Sequence, residues 1–170
     1  MHNNVKLKSA AITGILQIWL NKECSPQNAK QFALNTGYED SPLFWRVKRK
    51  GKLLSELSIF NMGVMLISCH MTLNEEDIAD VVTLLTTVAY EDIFSHIEKH
   101  YPQHKVNHEA RMASYLEAFG TDNYPRLVSG ILLKSLKIKE NDRSLFYTTS
   151  LVKTKVKSCC EICELANRRM

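Results

Sequence analysis

Four of the chain's six histidines fall at His96, His100, His104 and His108, a strict spacing of four. On a helix that spacing stacks side chains on one face, so His96/His100 and His104/His108 are each a potential pair of imidazole ligands. Two such pairs suit Zn²⁺ at about 2.0–2.1 Å, with Asp92, Glu98 or Glu109 as an added oxygen donor. Four ligands would close a structural site, whereas three and a water would leave a catalytic position. Pro102 lies between the pairs and works against one continuous helix, so they would have to meet across a corner. The competing expectation is solvated surface histidines, with His96 and His100 near a helix C-terminus whose dipole favours their charge. A proton-sensing cluster is the third, because crowded imidazoles depress one another's pKa.

A second group of residues suits a polyanion. Ser25-Pro26 is an N-cap and N1 pair, Ala33 and Gly37 follow four residues apart, and Ser41-Pro42 repeats the helix-start signal. The run Arg46-Val47-Lys48-Arg49-Lys50-Gly51-Lys52 comes next. Over residues 25–52 this pattern resembles a helix-turn-helix, in which a small residue lets two helices approach and the turn glycine takes a positive φ. The resemblance implies a second helix in the major groove, with Arg46 against a guanine edge. Lys48, Arg49, Lys50 and Lys52 would contact phosphates, which position the protein without reading sequence. Arg46 occupies a place where such units usually carry an apolar packing residue, a role left to Trp45 or Val47. The competing expectation is a two-helix corner followed by a solvated basic turn, or a β-hairpin with Lys50-Gly51 at its tip.

The third group is Cys159-Cys160-Glu161-Ile162-Cys163. A Cys-x-x-Cys spacing serves redox chemistry or half of a zinc site, but a complete site needs a second pair brought from afar. On a helix Cys160 and Cys163 share a face and read more simply as small core residues. With Cys24 and Cys69 the total is five, an odd number. With no signal peptide evident in the first twenty residues, reduced thiols and a cytoplasmic location are expected. Glycine-rich phosphate loops, the Gly-x-Ser-x-Gly elbow and His-Glu-x-x-His are absent from the sequence, which lowers the expectation of an enzyme.

Charge is distributed in blocks. Lys and Arg number 9 against 4 Asp and Glu over residues 1–60, 3 against 9 over 61–120, and 10 against 5 over 121–170. Two basic ends flanking an acidic middle suit a polyanion-binding surface or self-association of complementary faces. No unbroken run approaches eighteen apolar residues, so no membrane partner is expected.

The elements that must position these groups are helical. Few prolines and glycines punctuate the chain (4 and 6), as expected of long helices joined by short turns. Helices are predicted over Val5–Lys22, from Pro26 to Gly37, and from an Asn74 cap to His100. Further helices are predicted over Val106–Phe119, Tyr124–Lys137 and Asp142–Arg168. Leu53, Leu57, Phe60, Val64, Ile67 and Met71, in steps of four and three, describe an amphipathic seam. Gly63 and the β-branched alternation Val152 to Lys157 keep strands open around 43–71 and 145–157. The expected fold is a single mainly α domain over 1–170, with an α+β arrangement as the alternative. The expected function is a small regulatory protein that binds nucleic acid through the basic segment, its other helices forming a dimerisation or partner-binding body. A helical adaptor or chaperone without nucleic acid, and a metal-dependent enzyme or sensor using the four histidines, are the alternatives.

Overall fold

A computed structural model describes residues 2–38, 46–100 and 107–168, with the backbone alone for 2–7, 46–48 and 89–91. The helices are α1 (His2–Glu23), α2 (Pro26–Thr36), α3 (Arg46–Thr72), α4 (Glu75–Ala89), α5 (Ser95–His100), α6 (His108–Phe119), α7 (Tyr124–Leu136) and α8 (Asp142–Arg168). There is no strand among the described residues, and the mainly α reading holds.

Local signals set most helix ends. Ser25 takes an extended backbone and accepts from the Asn28 amide through Oγ, while Pro26 opens α2. Gly37, at φ 73°, closes α2 in the left-handed region. Asn74, Asn107 and Asn141 accept from the amides of Asp77, Ala110 and Ser144 at the starts of α4, α6 and α8. Asn74 precedes an acidic first turn, Glu75 to Asp77, that suits the helix dipole. Between α4 and α5 the chain makes a π-helical turn, Tyr90–Phe94, where the sequence predicts uninterrupted α-helix. The extra residue rotates everything after it relative to α4.

Helix α3 is the axis of the fold and packs against α1, α2, α4, α5, α6, α7 and α8. Its seam is buried at Leu53, Leu57, Phe60 and Val64, half-buried at Ile67 and exposed at Met71. Burial reaches beyond the seam, because Ser55, Glu56, Ser58, Asn61 and Ser68 are covered too. Some of these buried polar groups are satisfied within the fold. Ser68 donates to the Val64 carbonyl, and Asn61 Nδ2 to the Glu23 carbonyl across the packing with α1. Gly51 and Gly63 both lie inside α3, which removes the hairpin at Lys50-Gly51 and the strand over 63–71. A Cβ at Gly63 would stand in ordinary contact, 3.4 Å from Phe119 Cε2 and 3.5 Å from Tyr115 Cβ, so α6 covers this face of α3 and leaves no room for a larger side chain.

The other open strand, around 145–157, is helical as part of α8. Val152, Val156, Cys159 and Cys163 are buried at steps of four and three, with Lys155 beside them, so the helical period prevails over the period-two pattern. Lys155 Nζ is paired with Glu23 Oε2 and lies 5.9 Å from the Trp19 ring centroid. That pairing makes a lysine tolerable on the core face of α8.

Over Arg49–Thr72, α3 has the length and a window of mean hydropathy (1.4) sufficient to cross a membrane. Counting unbroken apolar runs misses this. Within the fold 83 % of that window is buried against the other helices, so its apolar surface forms the core.

Candidate anion-binding surface

The first turns of α3 carry the basic run. The Ser41-Pro42 start signal and Trp45 lie outside the described residues, and Arg46 and Lys48 are described by backbone only. The helix-turn-helix resemblance therefore rests on α2, the left-handed Gly37 and the N-terminal end of α3. From Leu53 onward α3 is a core helix, which leaves its first two turns as the part that can face a groove.

Those turns are fixed to the end of α2 by Tyr38. Its hydroxyl donates to the Arg49 carbonyl at 3.0 Å, and the Arg49 guanidinium lies 5.8 Å from the centre of its ring. Arg49 and Lys50 are exposed and Lys52 is half-buried. None of these three forms an ion pair among the described residues, whereas Lys8, Lys155 and Arg111 do.

Two cations outside the basic run join this group. Lys137, the residue after α7, and Arg111 of α6 act on the Lys52 ammonium. Burial lowers the Lys52 pKa, the Glu56 carboxylate opposes that, and Lys137, Arg111 and Arg49 lower it further. Lys137 is exposed and sits at φ 56°, a left-handed conformation that a side chain makes costly and that usually selects glycine. No short sequence pattern announces Arg111 or Lys137, because they are 59 and 85 residues from Lys52 and only helix packing brings them close.

One carboxylate lies beneath these cations. Glu56 is 1 % exposed, and its Oε2 lies 3.4 Å from Arg111 Nε in a geometry that makes no hydrogen bond. Burial raises its pKa, against the opposing pull of Arg111 and Lys52. Tyr115, one turn after Arg111, is fully buried, and its hydroxyl pKa is raised by burial and by Glu56. Arg111 and Lys52 act on this buried carboxylate, and Arg49, Arg111 and Lys137 act in turn on Lys52.

The histidines are divided differently from the sequence pattern. His96 and His100 do stack at i and i+4 on α5, with ring centroids 4.3 Å apart. His104 lies outside the described residues. His108 opens α6 instead of pairing with them, its ring 4.6 Å from Phe94 and its Nε2 3.6 Å from Glu98 Oε1. Burial lowers its pKa, with Glu98 opposing. Among the described residues no group of three or more His, Cys, Asp or Glu side chains is arranged to hold a metal ion.

The thiols lie in the core. Cys69, Cys159 and Cys163 are buried where α3 meets α8, and Cys160 is half-buried beside them. Hydrogen bonding to Cys163, together with burial, holds the Cys69 and Cys159 thiols protonated well above the ordinary range. Comparison with protein-family models, with curated proteins and with solved structures finds no match.

Proposed function

We propose that this chain binds nucleic acid electrostatically through the cationic end of α3, with Arg49, Lys50, Lys52 and Lys137 contacting phosphates. The observation that carries the reading is the gathering of basic residues from α3, α6 and the end of α7 around Lys52, with one buried carboxylate, Glu56, beside it. A cation that forms no ion pair among the described residues is available to a phosphate, and neutralising phosphates releases condensed counterions. Arg46 and Lys48 belong to the same first turns of α3. The left-handed Lys137 supports the reading, since backbone strain is retained where the side chain has work elsewhere.

Arg111 has a different role. It is tied to Glu56 and holds α6 against the base of the patch, leaving the outer cations to meet the ligand. Phosphate contacts of this kind position the protein without reading sequence. The remaining helices are the body that holds the patch rigid.

Fluorescence anisotropy with labelled DNA tests the proposal. Paired charge reversal, Arg49→Glu with Lys50→Glu, is expected to abolish measurable binding while the circular dichroism of the helices is kept. Undiminished binding by that folded variant would remove the proposed role.

A further inference from the structure

The π-helical turn joins α4 to α5 without a break, so residues 75–100 form one continuous helical segment. Its last part is docked on α3 and anchored by Phe94 and Ile97, buried three residues apart. With that face buried, His96 and His100 are turned to solvent, and both are exposed. The two rings lie against each other, with centroids 4.3 Å apart and planes tilted by 52°. Glu98, midway between them in sequence, is on another face of the helix, where its Oε1 lies 3.6 Å from His108 Nε2. The packing of α5 thus sets two imidazoles side by side at the surface and keeps the intervening carboxylate apart from them.

Two imidazoles one helical turn apart can each give a ring nitrogen to the same cation. Once the first nitrogen is bound the second is already beside the ion, so the pair binds more tightly than either ring alone by roughly a hundredfold. Neutral ring nitrogens suit borderline transition cations such as Zn²⁺, Ni²⁺ and Cu²⁺, whereas Mg²⁺ and Ca²⁺ take oxygen ligands. An anion would have to meet two charged rings in contact with each other, an arrangement that like-charge repulsion opposes. We propose that His96 and His100 form a chelating site for a borderline divalent transition cation. Among the described residues no third His, Cys, Asp or Glu side chain joins them to hold a metal ion. Water therefore completes the coordination, in contrast to the closed four-ligand shell of a structural zinc. The site is independent of the nucleic-acid reading above.

The test titrates the full chain, purified without a histidine tag and stripped of metal by a chelator, with Zn²⁺ in a calorimeter. Saturable binding is expected, Cu²⁺ should bind more tightly than Zn²⁺, and Mg²⁺ should not bind. His96→Ala and His100→Ala should each weaken Zn²⁺ binding roughly a hundredfold. His70→Ala, an exposed histidine at the end of α3, should leave it unchanged. Both ligand positions are exposed and alanine is a strong helix former, so the variants keep the fold. The Cu²⁺ complex of the parent should show electron paramagnetic splitting from the nitrogens of both rings, and each single variant should lose one of them. Absence of saturable binding of Zn²⁺ and Cu²⁺ by the parent, or parental affinity in either variant, would overturn the site.

Discussion

Salt dependence gives the most direct measure of how many cations act together. Arg49, Lys50, Lys52 and Lys137 are the basic side chains of the patch that form no ion pair among the described residues. With four phosphates neutralised, a plot of log affinity against log salt for a single strand should have a slope of about −2.8. Between 50 and 200 mM salt the affinity should therefore fall about fifty-fold. Replacing Arg49 and Lys50 together by alanine removes two of the four contacts, which brings the slope to about −1.4 and the fall to about sevenfold. The double variant should remain folded. Tyr38 bonds to the Arg49 carbonyl, which alanine keeps, and the lost cation–π contact costs about 0.5–1 kcal/mol at such a site. Anisotropy titrations at four or five salt concentrations measure both slopes, and thermal melts check the fold. A parent slope shallower than about −1, or equal slopes for parent and variant, would refute the assignment of these side chains to phosphate.

Lys137→Gly should separate stability from binding. Glycine relieves the left-handed strain at φ 56° and raises stability by about 1 kcal/mol, while affinity for DNA falls; unchanged affinity would make Lys137 a bystander. Gly14 lies inside α1 with open space around a Cβ, so Gly14→Ala should raise the melting temperature by about 2–4 °C. Gly63→Leu should instead destabilise by at least about 1–3 kcal/mol, because Phe119 and Tyr115 occupy the space; equal melting temperatures for the two variants would contradict this packing. Glu56 has a pKa raised above 4.5, so the fold holds its proton more tightly than the unfolded chain does. Its contribution to stability is thus present at low pH and is lost as pH rises through the folded value. Glu56→Gln, with Arg111 still partly hydrated, should be at least as stable as the parent near pH 7, with the difference closing on acidification. A parent that is the more stable protein at neutral pH, by a margin that shrinks in acid, would reverse the sign and refute the assignment.

The helices were legible because their ends are encoded locally. Ser25-Pro26, Gly37, Asn74 with its acidic turn, Asn107 and Asn141 each act within four residues, the range over which a sequence can be read without knowing the fold. Two kinds of feature were not legible. Over Val152–Lys157 a period-two alternation kept a strand open beside the predicted helix, and Lys155 became a core residue only because Glu23 of α1 arrives to pair with it. The four-residue histidine spacing left a shared site open as one expectation, and only the packing places His108 at the start of a different helix from His96 and His100, against Phe94.

The candidate surface divides along the same line. Composition and spacing alone established an α-helical chain and a concentration of cations between Arg46 and Lys52, since both are properties of neighbours along the chain. Packing decided that α3 is buried beyond its first turns, that Arg111 and Lys137 stand beside Lys52, and that Glu56 lies beneath them. Those relations depend on which helix faces which across the core. That choice is made by the joint burial of distant apolar faces, which no stretch of sequence contains by itself.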